Sequence, residues 1–240
     1  MQTQQLFSQS TELLKQIYHA PFTMGVSQGT LPRKAFKFYV EQHVLYLQNY
    51  AKNLIVLSER FKNNSFIAEQ LHTLADETMN HEHEIHHHFL HATRAFTFYT
   101  PIPPNKIPLI HEYTNFLQHI TKEGDLNAAF AAITASPWVY LQMGRHLERE
   151  KNTIITHVSE YKAWIQTYKP NAPFERMVDG LKRSLSDLIT DIPESSKKAE
   201  RITQAFMMPV AFECRFFAIA GQFAPMMKES GATLIQENQP

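Results

Sequence analysis

PRKAFKFYVEQHVLYLQNYAKNLIVLS, residues 32–58, reads as one long helix with a single apolar side. Phe36, Tyr39, Val40, His43, Tyr46, Leu47, Tyr50, Leu54 and Leu57 recur at steps of three, four and seven. That spacing stacks side chains on one face of an α-helix. Pro32 suits the first helical position, where its missing N–H is not needed, and it follows the turn residues Gly29 and Thr30. Helical spacing extends outward in both directions. Upstream, Leu6, Leu13, Leu14, Ile17 and Tyr18 predict an opening amphipathic helix that stops at Ala20-Pro21. Downstream, a third helix is expected over 65–91, then a loop over 100–108, where Pro101, Pro103, Pro104 and Pro108 crowd together. Further helices are expected over 109–122, 126–150, 154–168, 173–190 and 195–222. Asp125 and Asn171 are the expected caps, Gly124 and Pro170 the breaks, and Pro209 a kink in the last helix.

Glycine is scarce (7 of 240 residues) and alternating β-branched runs are few, so a sheet is not favoured. Connections are short and no Ser/Gly linker divides the chain. The expectation is one all-α domain over residues 1–240, a bundle of about eight helices with a polar tail from about 230. Lys+Arg 23 balances Asp+Glu 23, which leaves no global field to attract nucleic acid or an anionic membrane. A chain that is 43% hydrophobic with no net charge is not composed like a disordered one. No apolar run approaches the ~20 residues that span a bilayer, and the polar stretch Met1 to Ser10 lacks the form of a secretory signal. The lone Cys214 excludes an intrachain disulfide framework and a cysteine-based zinc site. Neither nucleic acid nor membrane is an expected partner, and a cytoplasmic location is expected.

Four segments could carry chemistry. In residues 77–91, Glu77, His81, Glu84, His88 and His91 share one helical stripe. Such a stripe could ligate a metal, but a helical metal site also draws ligands from facing helices, and 173–190 holds Glu175, Asp179 and Asp187 without a histidine. A solvated, titratable face is the reading preferred. Tyr39, Gln42, His43, Tyr46 and Tyr50 form an aromatic and polar line that could grip a flat heteroaromatic ligand or simply pack in the core. Ser136-Pro137-Trp138 interrupts an apolar helix, and Pro137 frees a carbonyl one turn back. Glu213 stands in an apolar surround, Phe212 to Phe217, where burial would raise its pKa toward the range useful for general acid–base work; an ion pair with a basic residue is the alternative.

Together these segments resemble the TenA/THI-4 family. His19-Ala20-Pro21-Phe22-Thr23-Met24-Gly25 resembles the family's HPF-x-x-G, followed by Gly29-Thr30-Leu31-Pro32 and by Phe36, Tyr39, Val40 and Gln42 in the family's spacing. Ala128 to Ala132 with Trp138, Tyr140 and Gly144 come next, then Tyr161, Trp164, Ile165 and Tyr168, then Phe212, Glu213 and Phe216. The match holds in order over about residues 6–222.

The resemblance implies a heme-oxygenase-like helical fold, a place in thiamin salvage, and hydrolysis of an aminomethyl-aminopyrimidine or of thiamin itself. It also implies a homo-oligomer, tetramer or dimer, that uses no metal and no organic cofactor. By position, the pyrimidine-contacting tyrosines fall on Tyr46, Tyr50, Tyr113 and Tyr168, with Tyr140 and Phe216 as further walls, and the proton-shuttling glutamate falls on Glu213. The family's ring-gripping aspartate falls on His43 and its nucleophilic cysteine on Ser136. A serine hydroxyl needs an adjacent base, so a Ser136–His43 dyad with Glu213 as proton carrier is one expectation, and a pocket that binds without turnover is another. Cys214 lies about 100° round the helix from Glu213 and is not expected to replace the nucleophile. A metal-dependent or PqqC-like oxidase is the third reading. For the di-iron branch, Glu77 would need a histidine seven residues on, where Glu84 stands.

Overall fold

The computed structural model describes residues 1–93, 105–150 and 157–222, and for residues 81–93 the backbone alone. Within them the chain forms ten helices. In chain order these are α1 (Thr3–Ser8), α2 (Thr11–Tyr18), α3 (Pro21–Gln28), α4 (Arg33–Arg60), α5 (Ser65–Thr93), α6 (Pro108–Glu123), α7 (Leu126–Arg149), α8 (Ser159–Tyr168), α9 (Pro173–Ile189) and α10 (Lys197–Gln222). No strand occurs among the described residues. The all-α class matches the expectation.

Two additions raise the expected eight helices to ten, and both have local causes. The opening helix breaks at residues 9–10, where side chains compete for main-chain carbonyls: the Ser10 hydroxyl donates to Phe7 O at 2.6 Å and the Thr11 hydroxyl to Ser8 O at 2.6 Å. Pro21, expected only to stop a helix, also opens the next one as the first residue of α3. Helix α3 ends at Gly29, whose φ of 72° places it in the left-handed region that glycine enters without strain. Its N–H and those of Thr30 and Leu31 then turn back onto the last carbonyls of α3, and Pro32 leads into α4.

The cap expectations divide. Asp125 caps α7, its carboxylate accepting from the N–H groups of Asn127 at 3.0 Å and Ala128 at 3.2 Å. Asn171 is not a cap: it takes φ 64° one residue before the N-cap Ala172. Its N–H donates to the Glu175 carboxylate at 2.6 Å, so Glu175, held also by Arg145, closes the start of α9. The expected tail beyond 230, the loop residues 100–104 and the start of the helix expected from 154 lie outside the described residues, as do the side chains of His81, Glu84, His88 and His91 in the expected stripe.

The helices lie around one buried core. α4 packs on α5 and α6, and α10 packs on α7, α3 and α2. α7 sits at the centre, and Ala128 to Pro137 are all buried. Close approach here depends on small residues. A Cβ at Gly144 would lie 1.8 Å from the main-chain oxygen of Tyr168, so glycine is what lets α7 touch the end of α8. α10 is long and apolar enough to cross a membrane by length and composition alone, contrary to the expectation from the sequence. Here its apolar side, including Ile202, Phe206, Val210 and Phe217, is buried in the bundle core.

Candidate functional site

Four helices bring one group of polar side chains together inside this core. α4 contributes Tyr39, His43 and Tyr46, α6 contributes Tyr113, α7 contributes Ser136 and Tyr140, and α10 contributes Glu213. Glu213 is 1% exposed and Ser136 4% exposed, so both lie beyond the reach of bulk water. The Ser136 hydroxyl donates to Glu213 Oε1 at 2.7 Å, and the Tyr113 hydroxyl donates to the same oxygen at 3.1 Å. The Tyr140 hydroxyl also lies near enough to this carboxyl to favour its charged form. Behind these lie two further phenols: Tyr46 donates to Tyr113 at 3.2 Å, and the Tyr39 and Tyr140 hydroxyls share a 2.8 Å bond.

Burial dominates the electrostatics. It raises the Glu213 pKa to about 7, and the hydroxyls of Ser136, Tyr113 and Tyr140 pull the other way because they favour the charged form. The carboxyl is therefore divided between its two protonation states near neutral pH, where a group can both accept and return a proton. The same burial, with the nearby carboxylate, raises the phenols of Tyr46 and Tyr168 far above the ordinary tyrosine range. They remain protonated donors.

Aromatic rings form the walls. His43 stacks 5.4 Å from Tyr39 and lies 5.4 Å from Tyr140 and 6.0 Å from Tyr46. Tyr168, brought in by the α7–α8 contact at Gly144, lies 4.9 Å from Tyr140. Phe216, one turn beyond Glu213, stacks on Tyr39 at 5.1 Å.

The site is supported from outside by two side chains, Tyr50 and Gln42, whose bonds sequence spacing alone does not show. Pro137 has no N–H, so the Ile133 carbonyl one turn back lacks its helical donor. The Tyr50 hydroxyl fills that place, donating to Ile133 O at 2.7 Å. Tyr50, expected among the ligand contacts, thus has its hydroxyl committed to the α7 backbone beside Ser136. Gln42, buried next to His43, accepts from the Ile107 N–H at 2.9 Å and donates to Asn105 O at 3.5 Å. It clips the start of α6, and with it Tyr113, to α4.

Of the expected site residues, Glu213, Ser136, Tyr46, Tyr113, Tyr140, Tyr168, Phe216 and His43 come together. The Ser136 proton goes to Glu213 rather than to His43, which departs from the serine–histidine dyad. Cys214 points elsewhere, its thiol contacting Gln16 Oε1 at 3.4 Å. Among the described residues no group of three His, Cys, Asp or Glu could hold a metal ion.

Residues 7–221 match the TENA/THI-4/PQQC family. The chain belongs to that family. It is 24% identical over 222 residues to the aminopyrimidine aminohydrolase of Helicobacter pylori, an alignment covering 92% of this chain and 98% of that relative. Among solved structures it is similar to a TenA homologue from P. horikoshii OT3, with TM-score 0.77, 22% identity, and coverage of 92% of this chain and 98% of that one. A domain of heme oxygenase-like fold from Shewanella denitrificans OS217 superposes with TM-score 0.70 at 10% identity, covering 99% of both chains. The fold expected from the sequence, heme-oxygenase-like and TenA-like, is the one observed.

The TenA resemblance did not single out Tyr39 as a site residue. The signal was present, since Tyr39, His43, Tyr46 and Tyr50 share one face of α4. What the spacing could not give is that the Tyr39 hydroxyl ends on Tyr140 rather than on a backbone carbonyl.

Proposed function

We propose that this TenA-family protein acts in thiamin salvage, binding a thiamin-related aminopyrimidine among the tyrosines and hydrolysing it, with Glu213 as the proton carrier. The observation that carries this reading is the 2.7 Å bond from the Ser136 hydroxyl to a buried carboxyl poised near neutrality. In the proposed reaction ionised Glu213 takes the Ser136 proton as the serine oxygen bonds to an electron-poor carbon of the substrate. The carboxyl then returns that proton to the departing amine, which leaves as ammonia, and water releases the pyrimidine from the serine. Glu213, not His43, is the base of this scheme. Tyr46, Tyr113, Tyr140, Tyr168 and Phe216 hold the ring by stacking and by hydroxyl donation, and His43 offers the ring one acceptor or donor. The protein is proposed to work in the cytoplasm as a homo-oligomer.

The test is product identification. The protein is incubated with 4-amino-5-aminomethyl-2-methylpyrimidine and, separately, with thiamin, and the mixtures are analysed by mass spectrometry. A hydroxymethylpyrimidine formed in step with ammonia or with the free thiazole supports hydrolysis. Saturable binding without product favours the non-catalytic reading, and neither binding nor product overturns both.

A further inference from the structure

Gln42 belongs by sequence to the aromatic and polar line of α4, yet its amide is spent on the main chain that leads into α6. The side chain is 2% exposed, and chemistry fixes which way the amide faces: its oxygen accepts from the Ile107 N–H and its nitrogen donates to Asn105 O. No side chain bonds to the start of α6 as an N-cap, and its first residue is Pro108, which has no N–H. Beyond this point α4 and α6 run side by side in the same direction. Tyr46 donates to Tyr113, the Thr121 hydroxyl donates to Asn53 Oδ1 at 3.3 Å, and Arg60 donates to Thr121 O at 2.8 Å and to Gly124 O at 2.7 Å. Gln42 and Arg60 thus hold the two ends of α6, and Tyr113 lies between them.

Residues 105–107 are tied to Tyr113 by two routes. Along the backbone, the His111 N–H donates to Ile107 O at 3.0 Å and opens the first turn of α6. Across that turn, the Lys106 ammonium donates to the Thr114 hydroxyl at 2.9 Å, and Thr114, buried, is the neighbour of Tyr113. The Tyr113 hydroxyl then donates to Glu213 Oε1 at 3.1 Å, a longer bond than the 2.7 Å one from Ser136 to the same oxygen. Of the two it stands nearer the limit of a hydroxyl hydrogen bond, and it is the first to be lost if α6 moves.

We propose that Gln42 is a positioning residue: by fixing the start of α6 on α4, it sets the place at which the Tyr113 hydroxyl meets Glu213. Its bearing on turnover rests on the reading of Glu213 as the proton carrier. The titratable side chains buried on the helices around this carboxyl are Tyr39, His43, Tyr46 and Tyr50 of α4, Tyr113 of α6, Tyr140 of α7 and Tyr168 of α8. α3, also packed on α10, has no titratable side chain, and α2 turns Tyr18 and His19 toward His146. On α10 itself Cys214 faces Gln16, and Arg215 pairs with Glu112 at the surface.

The test is a titration that needs no substrate. Protein carrying carbon-13 at the glutamate carboxyls is titrated by NMR, with the Glu213 signal assigned by its loss in Glu213→Gln. The wild-type midpoint is expected near 7. Tyr113→Phe removes a donor to the charged form and is expected to raise it by about 1 pH unit, the size of one hydrogen bond to a charged group. Gln42→Met, of similar length but without hydrogen-bonding groups, is expected to raise it by a part of that, about 0.2–0.5 pH unit. In the Tyr113→Phe background Gln42→Met is expected to move it no further. Gln42→Asn keeps the amide but is one methylene too short to reach both partners; it is expected to shift the midpoint in the same sense by less, and provides the test should Gln42→Met not fold. An unmoved midpoint in the folded Gln42 variants, or an equal shift with and without the Tyr113 hydroxyl, overturns the proposal. A shifted midpoint in a protein that turns nothing over keeps the positioning role and rejects the reaction, and turnover with an unmoved midpoint does the reverse.

Discussion

Replacing Tyr50 by Phe removes one oxygen atom and leaves the ring, so its effect isolates a single bond. The Tyr50 hydroxyl is the donor to Ile133 O at 2.7 Å, and the helical donor for that carbonyl is missing because residue 137 is proline. Ile133 is 0% exposed, so water does not replace the lost partner. A buried carbonyl left without a donor costs about 1–3 kcal/mol. For a domain of this size each kcal/mol lowers Tm by about 2–4 °C, so Tyr50→Phe is expected to melt roughly 2–12 °C below wild type. Pro137→Ala supplies the missing N–H, and in that background Tyr50→Phe is expected to cost less than ~1 kcal/mol. The assay is urea and thermal denaturation of the four proteins of the cycle, followed by circular dichroism, with the coupling taken as the difference of differences. A Tyr50→Phe protein within about 0.5 kcal/mol of wild type, or an equal cost in both backgrounds, would refute the reasoning that Tyr50 braces the helix at Ser136.

Three further outcomes are expected. Glu213 is more strongly protonated in the folded chain, with a pKa of about 7 against the ordinary 4.5, so the folded state binds more protons between those values. Stability should therefore fall as pH rises from about 4.5 to 7, by an amount on the order of 3 kcal/mol, and Glu213→Gln should flatten that part of the curve in urea denaturation at several pH values. Gly144→Ala would set a methyl 1.8 Å from the Tyr168 carbonyl oxygen, so α7 and α8 must separate; a loss of about 2 kcal/mol or more is expected by denaturation, with weaker ligand binding because Tyr168 moves. Ser136→Cys places a thiol, far more readily ionised, beside the same carboxyl, and is expected to raise kcat on the aminopyrimidine on the order of tenfold, whereas Ser136→Ala is expected to abolish it. A cysteine variant no faster than wild type would count against Ser136 as the nucleophile.

The helices were legible where one pattern ran long. The stripe from Phe36 to Leu57 gave α4 and its apolar face because a three-and-four spacing sustained over six turns has no competing reading. The short elements were not, for reasons visible in the bonds. Pro21 both ends α2 and begins α3, and a proline alone does not say which it does. Ser10 and Thr11 divide α1 from α2 through hydroxyl bonds to carbonyls three residues back, a choice that depends on rotamer and not on periodicity. The members of the site and their gathering around Glu213 followed from the resemblance; that Ser136 and Tyr113 donate to one Glu213 oxygen, in place of a Ser136–His43 pair, did not. Nothing in the spacing of Tyr50 and Pro137 says that one repairs the helix broken by the other, since they are far apart in sequence and meet only by the packing of α4 on α7. Asn171 misled because asparagine suits both an N-cap and a left-handed turn, and here Glu175 already closes the helix start.

The most direct trial of the account compares ammonia release from 4-amino-5-aminomethyl-2-methylpyrimidine by the wild-type protein and by Glu213→Gln at pH 7. If Glu213 carries the proton, the wild type turns over and the glutamine variant, isosteric but unable to shuttle a proton, is slower by about 10²–10⁴-fold while still binding the pyrimidine. Equal rates in the two proteins would contradict it.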